Sequence, residues 1–190
     1  MLSSWPERAN DLATACVTVE RARERSVRIA ERLEALGIEL PPVSPPVNPT
    51  SGTKRVGNLV YVSARAPKMG GVQQLTGKVG RDLDEDMGAQ AARVAVLNAL
   101  ATLSEGIGGL DRVRQIVKLT GYVNSAPGFT NQHIVMNGAT ALLLEVFGAR
   151  GRHARGSIGV AELPLNNSVE VELIVEVEDG WGPAIEHEAD

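Results

Sequence analysis

Few side chains in this 190-residue chain stand where they could do chemistry. His133, His153 and His187 lie far apart and share no ligand spacing, so nothing here suggests a metal centre. Ser63 has no His–Asp partner arranged for it and reads as a strand hydroxyl bonded locally. Gly70-Gly71 and Gly106 to Gly109 are turns, without the strand–loop–helix context of a phosphate loop. What remains is Arg155, alone on an alternating stretch among Ser157, Gly159 and Ala161. A guanidinium grips a carboxylate through two parallel hydrogen bonds, a geometry lysine cannot reproduce. The bland alternative is a cross-strand ion pair between Arg155 and Glu176, worth about 0.2–1 kcal/mol.

The elements that carry these residues follow from period-two alternation. His153 to Pro164 and Ser168 to Glu178 both alternate, and Pro164-Leu165-Asn166-Asn167 separates them with turn chemistry, so the pair reads as a β-hairpin. In that reading Ile158, Val160, Val171, Leu173, Val175 and Val177 share the core face. Arg155, Ser157, Glu170, Glu172 and Glu176 share the other. The register sets Arg155 opposite Glu176 and Glu170 opposite Ala161, six positions or roughly 20 Å from Arg155. One hairpin therefore cannot bring both to one small substrate, and the expectation is a site shared between subunits. Glu172, Glu176 and Glu178 read as a solvated or interface stripe, and His153 as a surface residue.

Upstream, Gly57-Asn58 between two β-like runs predicts a hairpin over Thr53–Val56 and Leu59–Ala64. Val72 to Val79 reads as a short strand. Asp84-Glu85-Asp86 suits the N-terminus of a helix running from about Met87 to Glu105, which Gly106 to Gly109 ends. Val113–Val123 reads as a strand and Phe129–Phe147 as a second amphipathic helix. Residues 1–26 read as a loosely attached extension and 27–47 as a short helix, capped by Ser26, with a Pro-rich connector. The main domain spans 48–179, and 180–190 form a disordered acidic tail. Two helices cover one face of such a sheet, so a homo-oligomer built sheet to sheet is the economical expectation for the other.

The totals bound the partners. A formal net charge of −4 argues against a broad phosphate-binding surface and hence against nucleic acid. No apolar run reaches membrane-spanning length, and the single cysteine, Cys16, fits a reducing cytoplasmic setting. The N-terminal stretch lacks the basic start and apolar core of a secretion signal.

The string Ala154 to Pro164, followed by Val169-Glu170-Val171-Glu172, resembles the signature of the RidA (YjgF) family. Gly57 to Ser63, Gly109-Leu110-Asp111 and Ile116-Val117-Lys118 support it in order and spacing, over roughly residues 48 to 178. The resemblance implies a chorismate-mutase-like α+β fold: a mixed β-sheet with two long helices on one face, assembled as a homotrimer with three clefts between subunits. It also implies cofactor-independent hydrolysis of reactive 2-imino acids to 2-oxo acids and ammonia, with a small 2-imino or 2-oxo carboxylic acid as ligand. Arg155 falls on the family's carboxylate-binding arginine and Glu170 on the glutamate that orients the attacking water. Ser63, with Ala64 beside it, falls on the cleft wall, and Asn137 on the cleft asparagine.

Departures from the pattern bear on the substrate more than on the fold. Thr50 stands where the enzymes carry a cleft tyrosine, Ala64-Arg65 replaces Gly-Gln and adds a positive charge, and Ser157 replaces a common cysteine. A non-catalytic trimer that binds small carboxylates is the alternative reading. The endoribonuclease activity ascribed to some family members is the weaker one, given the acidic balance and the absence of a basic aromatic stripe.

Overall fold

Val113–Asn124 is the longest strand and the one on which the sheet turns. A computed structural model describes residues 28–43 and 50–178. The extension 1–26 with the Ser26 cap, residue 27, the part of the Pro-rich connector from 44 to 49 and the acidic tail lie outside the described residues. The elements run α1 (Ile29–Ala35), β1 (Thr53–Val56), β2 (Leu59–Arg65), β3 (Lys68–Met69), β4 (Val72–Gln73) and α2 (Glu85–Ile107). They continue with β5 (Val113–Asn124), α3 (Gln132–Val135), α4 (Asn137–Phe147), β6 (Ala154–Val160) and β7 (Val169–Val177). The main sheet has strand order β1-β2-β7-β5-β6, and β3 and β4 form a separate small hairpin. The result is the expected α+β architecture, with a mixed sheet and its helices on one face.

Local chemistry sets many of these boundaries. Gly57 takes a φ of 58° in the tight turn between β1 and β2, where Val56 pairs with Leu59. Asp84 caps α2 by accepting from the Met87 amide at 2.8 Å, and Gly108 closes it in the left-handed region. The strand expected over Val72–Val79 shortens to Val72–Gln73. The second helix does not run unbroken from Phe129: it starts at Gln132 and is interrupted at Met136. A methyl group on Gly138 would sit 2.1 Å from the Ala89 carbonyl oxygen, so only glycine lets α4 approach α2 this closely. The core lies between these helices and the sheet, with Ala91, Ala95 and Ala99 of α2 facing Val60, Leu119, Val171, Leu173 and Val175. Ile29 of α1 joins it at 1% exposure.

The C-terminal hairpin is not formed. β6 and β7 do not pair: β5 lies between them, parallel to β6 and antiparallel to β7. Arg155 therefore stands opposite Leu119, which stands opposite Leu173, and Glu176 stands opposite Gln115. Directly opposed residues share a face, so Arg155 projects toward the helices. Glu170 stands opposite Tyr122, which stands opposite Ile158, on the uncovered face. The expected faces of β7 hold, with Val169, Val171, Val175 and Val177 fully buried. Those of β6 are reversed, and Ile158 is 44% exposed. The reason is topological: a strand, a helical crossover and a second strand favour parallel neighbours, and α3 and α4 supply that crossover from β5 to β6. The turn at Pro164–Asn167 does form, with Leu165 and Asn166 at φ near +57° (56° and 58°), but it carries the chain past β5.

Candidate functional site

The residues singled out from the sequence gather in two separate places. The first is a cavity of about 650 Å³ at the end of β2, lined by Ser63, Ala64, Arg65, Thr102 of α2, Asn167 and Glu170, among others. A β-bulge builds it. Val62 pairs with Leu173 and Arg65 with Val171, so Ser63 and Ala64 together span the single residue Glu172. The extra residue reverses the alternation beyond it. Arg65, which strict alternation would send to the open face, turns under α2 and donates from Nε to Thr102 Oγ1 at 2.8 Å.

Ser63 Oγ donates to the Ser51 carbonyl at 2.7 Å, and its amide donates to the Gly52 carbonyl at 3.0 Å. Its proton is thus committed to holding the chain before β1, and among the described residues no base is hydrogen-bonded to it. Thr50 lines the same cavity. Glu170 accepts from Asn167 Nδ2 at 3.1 Å through one carboxylate oxygen. Asn167 is nearly buried, and its carbonyl oxygen accepts from Asn124 Nδ2 at 3.1 Å. Its own Oδ1 finds no donor. Asn167 thus spends its amide protons orienting Glu170 at the cost of a buried unpaired acceptor. Glu172 does not line the cavity. It accepts from Tyr122 Oη at 3.0 Å, and that contact together with burial raises the Tyr122 pKa, burial being the larger cause.

The second cluster sits on β6 and α4. Arg155 Nη1 donates to Asn137 Oδ1 and to Thr140 Oγ1, both at 3.0 Å. Asn137 and Thr140 are one helical turn apart, and the break at Met136 lets α4 begin at Asn137. His153 extends the chain of contacts. Its Nδ1 lies 2.6 Å from the Gly151 carbonyl, which can only accept, so Nδ1 carries the proton. Nε2 of the neutral ring then accepts from the Thr140 hydroxyl at 3.2 Å. Burial holds the His153 pKa below its ordinary 6.5, and the charge of Arg155 lowers it further, while the bond to Gly151 acts in the opposite sense. His153, expected on the surface, is half-buried support for Arg155.

The two donors on Nη1 are used, and the edge formed by Nε and Nη2 is left over. Among the described residues no carboxylate pairs with Arg155, and the ion pair with Glu176 does not form: Glu176 meets Arg114 at 3.4 Å and Gln115 at 2.5 Å. The side-on edge of Arg155 is thus free to take a carboxylate.

The structure brings Ser63, Ala64 and Glu170 together, and separately brings Arg155 and Asn137 together. It does not bring the two groups together. Arg155 and Glu170 are two strands and three positions apart, about 10 Å in each direction and so about 14 Å between Cα atoms. An odd offset also puts them on opposite faces. The two residues are apart within one chain, as expected, but by about 14 Å on opposite faces rather than by about 20 Å along one face of a hairpin. Sequence reasoning passed over Thr140 and Asn167. The first was legible as the residue one turn after Asn137, whereas nothing local marked the second.

Comparison with known proteins gives a consistent picture. The family model described as "YjgF/chorismate_mutase-like, putative endoribonuclease" matches residues 30–177. Protein TCP17 of Trypanosoma cruzi is 42% identical over 155 residues, 80% of this chain and 96% of that protein. The crystal structure of Atu1372 from Agrobacterium tumefaciens, described as of unknown function, is 40% identical with a TM-score of 0.73, covering 83% of this chain and 97% of that one. A "putative endoribonuclease" from Shewanella oneidensis is 34% identical with a TM-score of 0.77, covering 80% and 100%.

Proposed function

The chain belongs to the YjgF/chorismate-mutase-like family, and from that premise we propose that it is an imine deaminase, hydrolysing reactive 2-imino or enamino acids to 2-oxo acids and ammonia without a cofactor. The observation that carries the reading is the free Nε/Nη2 edge of Arg155, held in place by Asn137, Thr140 and His153 yet left without a carboxylate. In this reading the protein is a homotrimer whose sites lie between subunits. Arg155 of one subunit meets the Ser63–Glu170 cavity of the next.

The chemistry follows from those groups. The substrate carboxylate docks on Arg155, which contributes mainly by fixing position. Glu170 has one oxygen bonded to Asn167 and the other available to hold a water over the imine carbon. Addition of that water forms the carbon–oxygen bond of a carbinolamine while a proton passes to nitrogen. Collapse then breaks the carbon–nitrogen bond and releases ammonia, leaving the 2-oxo acid. An endoribonuclease reading finds less support. The net charge is −4, and two Trp, two Tyr and two Phe give little surface on which bases could stack.

The test couples an imine-generating amino-acid oxidase to 2-oxo acid release, with and without this protein. Release should accelerate, and Arg155→Ala should abolish the acceleration. An acceleration unchanged by Arg155→Ala would overturn the proposal, and no acceleration with retained carboxylate binding would favour a non-catalytic trimer.

A further inference from the structure

Arg65 is a charge without a counter-charge. The bulge at Ser63-Ala64 turns it beneath α2, where Nε is held by Thr102 and the guanidinium is half-buried. Gly52 packs against it so closely that a methyl group there would lie 2.8 Å from Nη2. Among the described residues it forms no ion pair, although Glu105 and Glu170 also line the cavity. Burial lowers its pKa. A partly desolvated cation is costly unless paired, and a single neutral hydroxyl does not supply that pairing. Lys68 lines the cavity too, adding a second cation to the same wall. The cavity, at about 650 Å³, has ample room for a side chain longer than that of a small monocarboxylic acid.

We propose that Arg65 binds a second anionic group of the ligand, so that the site takes 2-imino and 2-oxo acids whose side chain ends in a carboxylate in preference to those with an apolar side chain. The inference rests on the carboxylate-binding reading of Arg155 given above and adds to it. Arg155 of one subunit holds the carboxylate next to the reacting carbon. Arg65 of the neighbour holds the distal one through its Nη1 and Nη2 protons, Nε being occupied by Thr102. Without the bulge, Arg65 would face the open side of the sheet and could not reach Thr102 under α2. The residue that would set the substrate's chemical class is thus placed by one inserted position in β2.

The experiment is calorimetric titration of the full-length protein with two stable 2-oxo acids, 2-oxobutanoate and 2-oxoglutarate. The wild type should bind the dicarboxylate about ten- to hundred-fold more tightly, the factor expected of one charge-assisted contact in a half-buried setting. Arg65→Gln should erase that difference by weakening 2-oxoglutarate far more than 2-oxobutanoate. Arg65→Lys, which keeps the charge, should retain part of the difference and serves if the Gln variant fails to fold. Arg155→Ala should weaken both ligands. Equal affinities in the wild type would overturn this inference and leave the reading of Arg155 standing. So would an Arg65→Gln variant that weakens both ligands alike, since Arg65 would then be supporting the cavity or holding the only carboxylate. Failure of the wild type to bind either acid would overturn both.

Discussion

Mixing two inactive variants gives the sharpest test of how the site is assembled. Arg155→Ala removes the carboxylate fork and keeps Glu170, while Glu170→Ala does the reverse. The two residues stand about 14 Å apart on opposite faces of one sheet, so a ligand of a few ångströms cannot touch both within one chain. If each site of a trimer takes Arg155 from one subunit and Glu170 from the next, random mixing in equal amounts restores about one quarter of the sites. A site works only when its arginine side comes from a Glu170→Ala subunit, a chance of about one half, and its glutamate side from an Arg155→Ala subunit, again about one half. The assay is co-expression of differently tagged variants, tandem purification of mixed assemblies and measurement of 2-oxo acid release. Each variant alone should be near background, the unselected mixture near a quarter of wild type, and the tandem-purified mixed trimers near one third, because every mixed trimer has one intact site in about three. Background activity in verified mixed assemblies would refute the shared site, and so would a protein that sediments as a stable monomer at micromolar concentration.

Three further outcomes follow from particular contacts. Arg155→Lys keeps the charge and loses both the fork and the paired bonds to Asn137 and Thr140, so kcat/KM should fall about thirty- to hundred-fold; a loss under threefold would mean that charge alone suffices. The lowered pKa of His153 means that below about pH 6.5 the unfolded chain binds more protons than the native one, so this group's contribution is whole above that pH and is lost as pH falls through the window below it. Urea melts at about pH 7.5 and about pH 5 should therefore show a larger loss for the wild type than for His153→Gln, and equal losses would contradict the assignment. Asp111 accepts from the Ile29 amide at 2.5 Å and from Arg28 Nε at 3.3 Å, capping α1 from across the fold. Asp111→Ala should cost about 1–2 kcal/mol and speed proteolysis within residues 28–43; unchanged protection there would show that the packing of Ile29 and Leu33 and the bond from Arg32 to the Glu145 carbonyl dock the helix without it.

How far the sequence could be read depended on the range of the interaction. The turn at Gly57-Asn58, the cap at Asp84, the glycine stop of α2 and the alternation of β7 are decided within a few residues by backbone sterics and local hydrogen bonds, and each was legible. The pairing of β6 was not read correctly, because alternation states which residues of one strand share a face and is silent about which strand lies beside it. The crossover pattern of β5, α3, α4 and β6 did hold that information, and the nearer turn at Pro164–Asn167 masked it. Arg155 was found by its isolation on a strand of small residues, but Glu176 was named as its alternative partner only because the wrong register placed them together.

Patterning along the chain was enough for the α+β class, the sheet-forming segments, the family resemblance and the residue types of the site. Tertiary structure alone decided that Arg155 faces the helices while Glu170 faces the open side, because β5 intervenes between their strands and fixes an odd offset. It alone turned Arg65 into the cavity, since a bulge changes the face of every residue beyond it and is invisible in a pattern of period two. It alone made Thr140 and His153 the support of Arg155, by bringing α4 against β6. Local rules act through neighbours in the chain, whereas a binding site is made by neighbours in space.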